Sequence, residues 1–396
     1  MPIIIRMFPQ RLILFSVSLF LFFTVQAQDM LSGAQRTEKY FSLLKGKSIA
    51  LVANQSSLVG KQHLVDTLIH SGFHVARVFC PEHGFRGNAD AGEEIASEKD
   101  EFTGIEIVSL FGNKVKPSKK DMVGIDLVVF DIQDVGVRFF TYLSTLQYVM
   151  EACAENNKPL IVLDRPNPNG FYVDGPVLDL KFRSFVGLNP IPIVYGMTIG
   201  EYAKMVNEEG WLKNKIKCKL QIIICENYDH NWSSELPVRP SPNLPNLQSI
   251  LLYPSICLFE GTIISLGRGT DYPFQVFGHP ELKICSFKFT PRSIRGMSKS
   301  PLYLGKECCG LDLSKFDRSQ IYSNKKLILD WMILAYANCP QKDSFFNSYF
   351  DMLAGNKILK EQIRSGQDPG TIRESWKPEL ETFLLIRKKY LLYKDF

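Results

Sequence analysis

Residues 48–87, SIALVANQSSLVGKQHLVDTLIHSGFHVARVFCPEHGFRG, decide how the fold is read. An apolar run from Ser48 to Ala53 is followed by a helical period from His63 to Ser71, a Gly turn, and a second apolar run from Val75 to Cys80. Strand, helix and strand in so short a span are the unit of a parallel sheet wrapped by helices. Directly after the second run, Pro81-Glu82-His83-Gly84-Phe85-Arg86-Gly87 sets a carboxylic acid, an imidazole and a guanidinium where the chain leaves the sheet at its carboxyl end. That edge is where open α/β sheets bind ligands. Pro81 fixes the approach of Glu82, and Gly84 and Gly87 let backbone come close to a ligand.

The pattern continues on the C-terminal side with apolar runs from Ile105 to Leu110, Leu127 to Ile132 and Leu160 to Leu163. Between the last two, the period of Leu143, Leu146, Val149, Met150 and Cys153 predicts a helix from Tyr142 to Glu155. Thr198 and Glu201 form a capping box for a helix that Gly210 stops, and Leu220 to Cys225 reads as another strand. Four prolines between Pro237 and Pro245 exclude regular structure there. The predicted class is therefore α/β. A Rossmann-like parallel-sheet domain spans residues 40–247, and a smaller α+β domain spans 248–396, with a strand Lys283 to Phe289 and a helix Leu327 to Ala337.

Residues 1–27 read as a targeting segment, with Arg6 and Arg11 as a basic start, Leu12 to Val25 as an apolar core and Val25-Gln26-Ala27 as a cleavage site. The core is shorter than the ~20 residues of a spanning helix, so export and release are expected, to the periplasm or medium, without stable membrane insertion. Loss of Arg6 and Arg11 lowers the formal charge from +5 to +3 on a chain with 22% charged residues, which argues against a nucleic-acid partner. The nine cysteines are an odd number, so at least one lies outside any intramolecular disulfide. Several, such as Cys80 and Cys225, sit in apolar runs and are expected as buried thiols. Adjacent Cys308 and Cys309 lack the partners of a structural zinc site.

Polar groups follow four of the apolar runs: Asn54-Gln55, then Glu82, His83 and Arg86, then Asp131, Gln133 and Asp134 with Arg138, and finally Asp164, Arg165 and Asn167. In a parallel sheet all of them reach one edge and converge on one crevice. Strand-end Asp and Asn also cap helices and hold turns, which is the competing account of Asn54, Asp164 and Asp134. A Gly-rich segment, Gly267-Arg268-Gly269-Thr270-Asp271, lies farther on and has neither P-loop nor dinucleotide spacing. Arg268 there either meets an anionic ligand group or pairs with Asp271 or Glu260 to pin a turn. No Ser lies in a G-x-S-x-G elbow, and no H-E-x-x-H spacing accompanies His83.

The motifs Pro81–Gly87, Phe130–Phe139, Leu163–Pro168 and Gly267–Asp271 together resemble the exo-acting β-N-acetylmuramidases of glycoside hydrolase family 171, formerly a domain of unknown function. The likeness runs in order from about residue 45 to 280 and more weakly to the C-terminus. It implies an exported, cofactor-free enzyme that releases N-acetylmuramic acid from the non-reducing end of peptidoglycan fragments, with a cleft between a Rossmann-like domain and a smaller one. It also implies Glu82 as the catalytic glutamate. Leu266 stands where some members carry Glu, so no catalytic role is placed there. Glu82 is then the expected general acid and Asp131 or Asp134 the expected base or stabiliser, or, if the acetamido carbonyl oxygen of the substrate itself attacks, the group that orients that amide. Asn54, His83, Arg86, Arg138, Arg165, Asn167, Arg268 and Asp271 are the candidate substrate contacts, with Arg268 the first choice for the lactyl carboxylate. Two readings from other classes compete: an exported sugar-binding protein without turnover, and a metal-dependent amidase or deacetylase built on Glu82, His83 and Asp131.

Overall fold

The computed structural model describes residues 29–82, 84–85 and 98–396. The leader, His83 and Arg86 lie outside the described residues. Six parallel strands form the main sheet: β1 Ser48–Ala53, β2 His74–Cys80, β3 Glu106–Ser109, β4 Leu127–Asp131, β5 Leu160–Leu163 and β6 Leu220–Ile223. Their spatial order is β3-β2-β1-β4-β5-β6, with Glu98–Lys99 added antiparallel beyond β3. This is the doubly wound Rossmann order, whose switch point falls between β1 and β4.

The apolar runs are continuous because both faces of the sheet are covered. Alternation along each strand sends Ala50, Val52, Val128, Phe130, Leu160 and Val162 into one core. Their neighbours Ile49, Leu51, Leu127, Val129, Ile161 and Leu163 enter the other. Helices α1 Thr37–Leu44 and α2 Leu64–His70 close the second core with Tyr40, Leu44, Leu64, Val65 and Leu68. Helix α3 Tyr142–Glu155 buries Leu143, Leu146, Val149, Met150 and Cys153 in the first, and α4 Ile199–Glu208 packs beside it. The capping box of Thr198 and Glu201 starts α4, as the sequence predicts.

The first core does not stop at the sheet. It continues through α5 Leu247–Ile256 into Trp331, Phe350, Ile372, Trp376 and Phe383 of the C-terminal half. That half carries an antiparallel sheet of β7 Val276–His279, β8 Phe287–Phe289 and β9 Cys308–Asp312, with β9 in the middle.

Two boundaries in this half differ from expectation. The strand expected from Lys283 starts at Phe287, because the Lys283 amide donates to Asn338 and Cys285 is drawn into a disulfide with Cys309. The helix expected from Leu327 starts at Asp330, because the amides of Leu327 and Ile328 donate to Asp174 Oδ2 and Ser255 Oγ instead. The remaining seven cysteines are buried thiols. Among the described residues no helix is long and apolar enough to cross a membrane.

Candidate active site

The carboxyl edge of the sheet divides into two regions. At the β1, β4 and β5 ends the polar groups meet one another. Arg165 grips Asp131 with both arms, Nε to Oδ1 at 2.6 Å and Nη2 to Oδ2 at 2.8 Å, and the two side chains are 4% and 0% exposed. Asn54 accepts from the Ser56 amide at 2.9 Å and hydroxyl at 2.6 Å and donates to Tyr142 Oη at 3.0 Å. Ser57 closes the switch point by donating to the backbone carbonyl of Asp131. Asp164 accepts from Thr198 Oγ1 at 2.7 Å and the Gly200 amide at 2.8 Å, so it anchors the start of α4. The amide of Asn167 packs against Gly136, whose φ of +76° and lack of a side chain allow that contact.

Asp134, beside that turn, accepts from the Gly136 amide at 2.6 Å and from the Tyr195 hydroxyl. Burial pushes the carboxyl groups of Asp134 and Asp164 up to about 6, against the pull of those hydrogen bonds. Arg138 is fully buried and donates to four backbone carbonyls: Pro176, Ile191 and Leu353 at 2.8 Å, and Ala354 at 2.9 Å. It ties the two halves together, and desolvation lowers its pKa to about 9.

The open region lies on the β2 side. There a cleft opens to solvent, with ≈ 560 Å³ of free space when its mouth is included. Its walls come from both halves of the chain. Glu82, immediately after β2 and Pro81, lines it and accepts from Thr141 Oγ1 at 3.1 Å, the hydroxyl of the residue preceding α3. Phe139, Phe140 and Tyr142 line the same side. The C-terminal half contributes Glu260, Arg268, Phe274 and Tyr349 to the lining, and the proline-rich segment contributes Ser241 and Asn243.

Arg268 sits between Gly267 and Gly269, both with positive φ, and lies 4.9 Å over the Phe274 ring. Its Nε and Nη2 donate to Glu260 Oε1 at 2.9 and 2.5 Å. Burial works against its charge, but the Glu260 carboxylate more than offsets this, and its pKa is raised. Two buried polar atoms of the lining have no hydrogen-bond partner, Arg268 Nη1 and Asn243 Oδ1. The residues that line the cleft thus include one unused donor and one unused acceptor beside two carboxylates.

Of the residues singled out in the sequence, Glu82 and Arg268 meet in the cleft. Asp131, Asp134, Asn54, Arg138, Arg165 and Asn167 do not line it, because each is committed to a partner in the scaffold. Asp271 pairs with Arg292 on the surface, where their side chains are 72% and 63% exposed. Leu266 is buried and outside the cleft lining. The motif ending in Arg138-Phe139 reaches the cleft through the residues just past its acids, Phe139 to Tyr142. Thr141, Ser241, Asn243 and Tyr349 carry no signal of a site in the sequence. Glu260 is readable there only as a partner for Arg268.

Fold and cleft together define an α/β protein with a cleft lined by residues of a doubly wound sheet and of a smaller C-terminal region. Residues 49–248 match the family described as exo-beta-N-acetylmuramidase NamZ, N-terminal, and residues 251–393 match its C-terminal counterpart. The chain is 38% identical over 372 residues to the peptidoglycan beta-N-acetylmuramidase NamZ of Bacillus subtilis (strain 168), covering 89% of each protein.

Two crystal structures of DUF1343 family proteins from Bacteroides fragilis NCTC 9343 share the fold. One has a TM-score of 0.87 and 47% identity, covering 93% of this chain and 100% of that one. The other has a TM-score of 0.76 and 27% identity, covering 92% and 99%. The chain belongs to the NamZ family of exo-β-N-acetylmuramidases and is a glycoside hydrolase.

Proposed function

We propose that this enzyme releases N-acetylmuramic acid from the non-reducing end of peptidoglycan fragments, with Glu82 as the general acid. The observation that carries this reading is the position of Glu82: it is the strand-end carboxylate that lines the cleft, while the other strand-end acids are tied into the scaffold. The family and the name of the Bacillus subtilis relative support the substrate. As the bond from C1 to the glycosidic oxygen breaks, Glu82 gives its proton to that oxygen. The unpartnered Arg268 Nη1 suits the lactyl carboxylate that distinguishes muramic acid from N-acetylglucosamine, and Asn243 Oδ1 suits the acetamido N–H. The leader further supports export, which N-terminal sequencing of the mature protein tests: a start near Gln28 is expected, and an intact Met1 would overturn it.

The deciding experiment follows free N-acetylmuramic acid from an N-acetylmuramyl-N-acetylglucosamine disaccharide. Glu82→Gln should lower kcat at least ~10²-fold, the lower end of what general acid–base groups supply. Retention of activity within about tenfold removes Glu82 from that role. A sugar-binding protein would bind the disaccharide and release nothing, and membership of a glycosidase family speaks against it. The metal-dependent reading loses Asp131, whose two carboxylate oxygens are held by Arg165.

A further inference from the structure

The geometry points to Glu260 as the second carboxylate of the reaction, acting at the anomeric carbon from the part of the cleft lining that the C-terminal half supplies. This rests on the assignment of Glu82 as proton donor. Glycoside hydrolysis ordinarily needs two carboxyl groups flanking the scissile bond. Among the described residues lining the cleft, the carboxylates are Glu82 and Glu260. They stand on different lobes. Glu82 follows β2, whereas Glu260 lies in the short 3₁₀ turn Cys257–Gly261 that continues α5.

That turn is tightly packed: Phe259 is fully buried, and a side-chain carbon at Gly261 would stand 2.6 Å from Phe350 Cβ. Both Arg268 donors land on one oxygen of Glu260, Oε1, so the guanidinium fixes the carboxylate without taking its second oxygen. Arg268 is in turn fixed by the Phe274 ring. A carboxylate held in one orientation by a charge-assisted fork is pre-organised for transition-state stabilisation.

The bond changes balance in either stereochemical course. In one, a water loses a proton to Glu260 as its oxygen bonds C1, and the departing oxygen takes the proton of Glu82. In the other, the Glu260 oxygen bonds C1 itself while Glu82 protonates the leaving group. Water then cleaves the ester, giving its proton back to Glu82.

The competing role is purely positional, with Glu260 serving only to aim Arg268. Two substrates separate the cases: the muramyl disaccharide, whose leaving group needs an acid, and 4-nitrophenyl β-N-acetylmuramide, whose leaving group does not. Glu260→Gln should lose at least ~10²-fold in kcat on both substrates, with KM changed less than about threefold. Glu82→Gln should lose heavily on the disaccharide and far less on the nitrophenyl sugar. Arg268→Met should act mainly on KM.

Azide added to Glu260→Ala should restore turnover and give the α-glycosyl azide, its nitrogen bonding C1 as the C1–O bond breaks. The inference is overturned if Glu260→Gln keeps kcat within tenfold on both substrates, or if it only raises KM as Arg268→Met does. It is equally overturned if a folded Glu260→Ala, checked by circular dichroism, yields no azide product. Failure of the Glu82 assignment looks different: Glu82→Gln would then be active on both substrates while Glu260→Gln was not.

Discussion

Two stretches of one sheet edge use the same kinds of side chain to opposite ends. Between the ends of β1, β4 and β5, where a doubly wound sheet usually receives its ligand, the acceptors and donors are matched internally: Asp131 with Arg165, Asn54 with Ser56 and Tyr142, Asp164 with Thr198 and Gly200. Next door, past β2, Glu82 lines a cleft to which Ser241, Asn243, Glu260, Arg268, Phe274 and Tyr349 also contribute. With the switch point filled, the open cleft lies toward β2. A buried polar group is stable only with its partners. Which of these side chains line the cleft is thus decided by residues brought from elsewhere in the chain, and residue type alone carries no such information.

The sharpest way to break this comparison is to remove a partner from the closed region. Asp131→Asn leaves the Arg165 charge buried without its counter-ion, and the unfolding free energy should fall by about 3–5 kcal/mol. Activity per folded molecule should stay within about threefold of the parent. Urea titration followed by fluorescence, with turnover measured below the transition, checks both. Unchanged stability with lost turnover would move Asp131 from the scaffold into the site.

A smaller effect is expected on the open side. Arg268→Met removes the unpartnered donor and should erase most of the preference for N-acetylmuramic acid over N-acetylglucosamine as product inhibitors. A hydrogen bond to a charged group contributes about 1.5–3 kcal/mol, or about 10–100-fold in relative affinity. Inhibition constants for the two sugars give the answer directly, and an unaltered ratio would place the lactyl carboxylate elsewhere.

The same distinction explains what could be read from the chain before its structure. Elements whose signal is local were legible: the runs Ser48–Ala53 and Leu160–Leu163, the helix Tyr142–Glu155 and the Thr198 capping box all match. Glu82 and Arg268 were legible because each sits in a frame of Pro and Gly that packing alone does not require. The commitments of Asp131, Asp134 and Arg138 were not. Arg138, for instance, spends its donors on carbonyls 38 to 216 residues away. For the same reason Glu260 read as a turn partner, since nothing local tells that its turn faces the cleft. The C-terminal boundaries failed likewise where tertiary bonds, such as Leu327 to Asp174, replaced the local pattern.

The closed region also carries a pH signature. With the Asp134 carboxyl pushed up to about 6 by burial, the folded state holds its proton through a range where the unfolded chain, near the ordinary Asp value of ~3.9, has lost it. Its stabilising contribution is therefore fully present below pH ~4, declines as pH rises, and is gone above about 6. The loss is on the order of 1–3 kcal/mol, and Asp164 adds a change of the same sign. Asp134→Asn keeps an acceptor for Tyr195 and the Gly136 amide but cannot ionise. Between pH 4 and 6.5 its unfolding free energy should fall less than that of the parent, by an amount of that order. Denaturation midpoints at the two pH values measure it, and parallel profiles for parent and variant would show that Asp134 holds the same charge folded as unfolded.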